Sequence, residues 1–250
     1  RVVRIPLTQL HYFKGYPAMQ TEVPFTGQPY RFKDDDPKMQ ETLDSVKKRG
    51  VRAPGLVRPD PDGGYEIISG HRRHRASELA GLEDMPVIIR DMTDEEAVIE
   101  MVDANIQREK VMPSEKAWAY RMKLEAIKHQ GTRTSGHVDP KEAGKRSNEI
   151  VAERNKMAVK QVQRFIRLNE LVPDLMKLVD DKKIGFTTAV ELSYINKKNQ
   201  NYIAVSIDSQ QASPTQAQAK RMRELDEKKL LNSDVIDGIM MEDKKEVDKV

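Results

Sequence analysis

The chain has 250 residues, 38% of them hydrophobic and 33% charged, with a net charge of +3 and no cysteine. That apolar content suffices for one or two modest cores, and no run approaches the roughly 18 apolar residues of a membrane span. The missing cysteines exclude disulfides, thiolate metal sites and thiol catalysis. The first residues, RVVRIPLTQL, lack the apolar segment of a signal peptide, and the chain opens without Met as a fragment would. A reducing cytoplasm fits this composition.

Strand and helix signals alternate over the first hundred residues. Residues 2–5, 56–58 and 85–90 are short β-branched runs, and YEIIS at Tyr65–Ser69 is a stronger one. Between the first and second, Met39, Leu43 and Val46 recur at helical spacing, with Asp36 to cap the helix, Pro37 for its first turn and Gly50 for its end. DPDGG at 60–64 predicts a hairpin turn. Thr93 and Glu96 form a capping box that opens a helix to about Asn105.

After Lys110 the strand signals stop. Ser114 opens a long helix with Trp118, Met122 and Ala126 on one face, and the Gly-, Thr- and Ser-rich stretch 131–144 reads as a loop. Short helices are predicted over about 147–156, 158–171, 174–182, 187–196 and 200–206. Ser213-Pro214 starts a charged helix to about Leu230, with a last helix over 234–248. With so few apolar residues, this final part is expected to pack on a partner or to fray. The fold class is α+β: a small mixed α/β domain over 1–110, an all-α domain over 111–212 and a charged helical extension over 213–250.

Charge divides the same way. Residues 1–110 hold 17 basic and 19 acidic side chains, 111–212 hold 18 and 12, and 213–250 hold 8 and 9. Within 141–167 there are eight basic and three acidic residues, a footprint for polyanions or, equally, a solvated helical surface.

Two motifs carry chemistry. In ISGHRRHRASELAGL a strand ends at Ser69, a glycine follows, and a helix begins with Arg72 and Arg73. A helix N-terminus offers unpaired N–H groups and partial positive charge, and Gly70 permits close backbone approach. Cations in that first turn oppose the helix dipole, so an anion such as a triphosphate would offset them. An amphipathic helix with solvated arginines is the plain alternative. His71 and His74 have no companion ligands and read as polar surface positions, since zinc needs three or four. The second motif is NEIVAERNKMAVKQVQRFIRLNEL, Asn148 to Leu171. Taking Ala158 as zero at about 100° per residue, Ala158, Val159, Val162, Phe165 and Ile166 share one side, and Lys160, Gln163, Arg164 and Arg167 the other. With Gln161, that donor-rich face suits phosphates and base edges, as the second helix of a helix-turn-helix does. A surface helix of an ordinary bundle would look similar.

GHRRHRA at 70–76 resembles the G-E-R-R-x-R-A box of the ParB family, and NIQRE at 105–109 its E-N-[IL]-Q-R-E box. QPYR at 28–31 resembles its Q-P-R-[KR] element, and IRL at 166–168 closes a helix-turn-helix like the family's. The similarity runs over roughly residues 1–196, with the boxes in order. It implies a ParB-type nucleotide-binding domain followed by a helix-turn-helix domain, acting as a DNA-partition protein of plasmid or chromosome on a palindromic centromere-like site. The resemblance implies CTP and Mg²⁺ as cofactors, a homodimer that CTP closes into a sliding clamp, a nucleoid- or plasmid-associated cytoplasmic location, and a ParA-type ATPase as a further partner. It assigns nucleotide binding to Ser69, Gly70, Arg72, Arg73, Asn105 and Arg108, with Asn105 also near the metal and loop 50–54 framing the base.

The chain departs from the pattern at four places. Ala104 replaces the acid that helps to hold Mg²⁺, so CTP hydrolysis is expected to be weak at most, and Asp103 points about 100° aside on a helix. His71 replaces Glu, and Ala53 replaces Gln before Pro54. Lys156-Met157-Ala158 stands where a glycine and a small hydroxyl residue are usual, with Asn155 available for a left-handed turn. A repressor with the same domains and no clamp is the second reading. Among enzymes of this fold, a sulfinic-acid reductase would need cysteine, and a nuclease has only the acidic run 34–36, better read as a helix cap.

Overall fold

The computed structural model describes residues 1–13, 34–106, 111–132 and 145–242. They form two compact units, one of Arg1–Lys110 with Arg121–Ser147, the other of Val111–Tyr120 with Asn148–Val250.

The first unit is built on a five-stranded mixed sheet of β1 (Val2–Pro6), β2 (Leu10–Tyr12), β3 (Gly55–Pro59), β4 (Tyr65–Ser69) and β5 (Asp84–Ile89), in the order β1-β5-β3-β4-β2. β1 runs antiparallel to β5, and β3 antiparallel to β4, while β3–β5 and β2–β4 are parallel. Four strands match the β-branched runs. The fifth, β2, follows a 3-10 turn at Leu7–Gln9 and has three residues, too few to show a period. The hairpin forms at 60–64, where Asp60 N donates to Gly64 O and Gly63 N to Asp60 O. Leu10, Val57, Ile67, Met85 and Val87 make the sheet core.

Helices α1 (Pro37–Arg49) and α2 (His71–Leu79) share a second apolar cluster, Met39, Leu43, Val46 and Ala76. As the sequence predicts, Asp36 accepts from Lys38 N, Pro37 starts α1, and Gly50 ends it at φ 67°. Helix α3 (Asp94–Ile106) opens on the Thr93–Glu96 capping box, with both reciprocal hydrogen bonds made. Arg58 is buried on β3, donates to Glu66 and Asp94, and lies 5.0 Å from the Phe13 ring centroid. A buried guanidinium is tolerated only with such partners.

The second unit is helical. It takes the start of α4 (Pro113–Thr132), then α5 (Ser147–Arg154), α6 (Val159–Arg167), a 3-10 turn at Leu168–Glu170, α7 (Pro173–Asp180), α8 (Phe186–Leu192), α9 (Lys197–Gln210), α10 (Gln216–Glu227) and α11 (Ser233–Met241). Helix α4 runs on through Gly131, which was expected in a loop; 133–144 lie outside the described residues. Residues 213–242 pack into the helical unit's own core, and 243–248 of the predicted last helix lie outside the described residues. Ala219, Met222, Leu231, Ile236, Ile239 and Met240 are buried in the same core as Leu168, Leu175, Leu192 and Ile203. Their spacing, i and i+3 on each helix, lets few apolar residues bury a whole face.

Candidate nucleotide cleft and nucleic-acid interface

In the sheet unit, β4 runs out at Ser69 and Gly70 turns the chain into α2 at φ 107°. Glycine is required there twice over: the conformation is left-handed, and a Cβ would lie 3.1 Å from Gly55 Cα and 3.2 Å from Arg73 Nη2. The first helical backbone bond is His74 N to Gly70 O, so the amides of 71–73 have no partner within α2.

These amides border a cleft of about 810 Å³, lined by α1, loop 50–53, the Ser69–Gly70 corner and Ala104. Lys38, Arg52, Arg72 and Arg73 line it against one carboxylate, Glu41, with the hydroxyls of Thr42, Ser45 and Ser69. Arg72 Nε is buried with no hydrogen-bond partner among the described residues, an atom that an anion would satisfy. Arg73 also lines the cleft, and its Nη1 donates to the carbonyl oxygens of Ala53 (2.6 Å) and Pro54 (2.7 Å), pinning the loop to α2. Burial pushes its guanidinium down from the usual arginine value, though it stays a cation. Lys38 and Arg52 were not singled out by sequence; only the packing of α1 brings them to the cleft.

The two histidines correct the surface reading. Both are buried, His71 stacked 5.7 Å from the Tyr12 ring and His74 edge-on to it at 5.9 Å. The run HRRHR looks solvated, but positions 71 and 74 fall on the covered side of α2. Burial holds the His74 imidazole below its ordinary pKa, against the pull of Glu78 at 4.0 Å. Arg75, on the outer side, pairs with Asp34 and Glu78.

Asn105 lies in α3, but its side chain and Arg108 fall outside the described residues, as does 28–31. Ala104 faces the cleft. Asp103 is paired with the fully buried Lys123 of α4. Among the described residues no group of three His, Asp or Glu side chains could hold a metal.

In the helical unit, α5 and α6 form the helix-turn-helix pair. The left-handed residue of the turn is Lys156, φ 53°, not Asn155, whose Nδ2 donates back to Val151 O. Ile150, Val151 and Val162 are buried, and Phe165 packs between Tyr120 and Phe186 at centroid distances of 5.5 and 4.7 Å. Ala158, expected in the core, is exposed as the N-cap of α6. Lys160, Gln163 and Arg164 are exposed and Gln161 is half-buried. Arg167 is not free: Nη2 donates 2.8 Å to Ser193 O and the guanidinium stacks on Tyr194.

A mixed sheet with cations gathered at the corner after β4, followed by a helical unit with two helices joined by a tight turn, has the layout of a two-part DNA-binding class of protein, and comparison with known proteins narrows it. Residues 23–106 match the ParB N-terminal domain. The chain is 30% identical over 222 residues to the chromosome-partitioning protein Spo0J of Thermus thermophilus, covering 89% of this chain and 71% of that protein. It is 36% identical over 127 residues to the chromosome-partitioning protein ParB of Myxococcus xanthus, covering 51% of this chain and 38% of the relative. The fold is shared with the C-terminally truncated ParB of Caulobacter crescentus complexed to the centromeric parS site, at TM-score 0.50 and 21% identity over 90% of this chain and 99% of that one. A pNOB8-like ParB N-domain gives TM-score 0.52 at 13% identity, over 96% and 95%. This chain belongs to the ParB family.

Proposed function

We propose that the chain is a partition factor that reads a duplex DNA site through α6 and binds CTP in the cleft of the sheet unit, nucleotide closing a dimer around DNA. The observation that carries the nucleotide reading is the cleft itself, with four cationic side chains, one carboxylate and an unpartnered Arg72 Nε beside the N-terminus of α2. The Thermus relative, named for chromosome partitioning, supports the role. The exposed donors of α6 support the DNA reading, and a dimer would place two such helices on the halves of a palindrome.

A triphosphate fits these residues. Gly70 and the 71–73 amides would hold phosphate oxygens, Arg72 would add charge, and Arg73 would keep loop 50–54 in place. Mg²⁺ fits the described donors poorly, because Ala104 offers no ligand and Asp103 is engaged by Lys123. Calorimetric titration with CTP, with and without Mg²⁺ and DNA, tests the reading; no uptake under any condition removes it. The misfit of Mg²⁺ favours one second reading, a repressor that binds DNA without clamp closure. Crosslinking between the sheet units of two copies that does not respond to CTP would select it.

A further inference from the structure

Arg167 sits in the middle of the polar face of α6, where a DNA contact would be placed from sequence. Its guanidinium is turned into the helical unit. Nη2 donates to Ser193 O at 2.8 Å, Nε is buried without a hydrogen-bond partner, and Cζ lies 4.2 Å from the centroid of Tyr194. A guanidinium offers two forks for a carboxylate, phosphate or guanine edge, Nε with Nη2 and Nη1 with Nη2. The burial of Nε closes the first fork, and the bond to Ser193 takes one of the two hydrogens on Nη2, which the second fork also needs.

The Tyr194 ring also carries the guanidinium of Arg223 from α10, with Cζ 4.0 Å from the centroid. Two cations drawn to one ring repel each other unless charge is supplied nearby. Glu191 (3.2 Å) and Glu227 (2.9 Å) supply it to Arg223, and Arg167 has no carboxylate partner among the described residues. The result is a chain of contacts from the end of α6, through the corner after α8, to α10.

We propose that Tyr194 is a positioning residue for DNA recognition: it fixes Arg167, and with it the C-terminal end of α6, against α8 and α10, so that Arg167 sets the angle of the reading helix and makes no fork contact with DNA. This rests on α6 being the reading helix. Tyr194 is 44% exposed, so its replacement opens no cavity in the core.

The test uses the full chain and two probes, a duplex that the wild-type chain recovers from a random pool and a duplex of shuffled sequence. Tyr194→Leu should lower the preference for the recovered duplex by about fivefold, while Tyr194→Phe, which keeps the ring, stays within about twofold of wild type. Arg167→Ala should lose preference similarly, leave the slope of log affinity against log salt unchanged, and add nothing to Tyr194→Leu in the double variant. Arg223→Ala, which spares α6, should shift preference in the same direction should Arg167→Ala fail to fold. A slope reduced by about 0.9 in Arg167→Ala would make that residue a phosphate contact and overturn the proposal. Full preference in Tyr194→Leu would overturn it as well. Recovery of no duplex by the wild-type chain would instead remove the DNA reading beneath it.

Discussion

The two units handle their cations in opposite ways. In the sheet unit the structural arginine, Arg58, is buried against Glu66 and Asp94, and the cleft leaves Arg72 Nε unpaired. In the helical unit Lys160 and Arg164 are exposed on a helix packed by its other face, and the tied arginine, Arg167, is held by a carbonyl and a ring. The sheet unit thus offers a concave site with its charge already positioned, suited to a small polyanion. The helical unit offers a convex row of exposed donors, suited to a groove. Concavity against convexity, more than net charge, separates the two proposed ligands.

The largest effect that could break this division comes from the core. Leu168→Ala should cost the helical unit about 2–5 kcal/mol, because Leu168 is fully buried. Duplex binding should fall with it while CTP uptake by the sheet unit, read calorimetrically, persists; loss of both would show that the units do not act separately. Gly70→Ala should cost about 1–3 kcal/mol through its left-handed φ and remove nucleotide uptake, leaving binding to DNA without CTP intact. Arg164→Ala should weaken the recovered duplex by about 1–3 kcal/mol if it reads a base, and Lys160→Ala should weaken all duplexes alike and lower the salt slope. Gel shifts unchanged from wild type in both variants would deny α6 its role.

A smaller effect comes from acid. Because His74 is buried and its pKa is held below the unfolded value of about 6.5, its contribution to stability is complete above that pH. It is lost as pH falls, since the unfolded chain then takes up the proton more readily. Thermal melting followed from neutral to mildly acidic pH should show this decline, and His74→Gln should flatten it. An unchanged slope in that variant would assign the acid sensitivity elsewhere.

Most of the fold was legible from periodicity and caps. Asp36, Gly50, Thr93 and the 60–64 turn fix element ends by local chemistry, which a sequence displays directly. What escaped depends on partners distant in the chain. β2 exists because Leu10 pairs beside Tyr65. α10 becomes core because α8 lies against it. The cleft showed the same limit: Gly70 and Arg72 were found from their own motif, whereas Lys38 and Arg52 required the packing of α1. Arg167 was assigned to DNA from its angle on the helix, and its contacts with Ser193 and Tyr194, distant in the chain, could not be read from that angle.

The Lys123–Asp103 pair constrains how descendants of this chain can drift. Lys123 has a fully buried side chain, while that of Asp103 is 40% exposed. Mutating Asp103 first removes a carboxylate from a buried ammonium, a costlier loss than the reverse. Mutating Lys123 first leaves an acid that water can solvate. The pair is therefore epistatic with a preferred order, lysine before aspartate, and a carboxylate introduced at position 104 would arise beside a neighbour that is released most cheaply along that path.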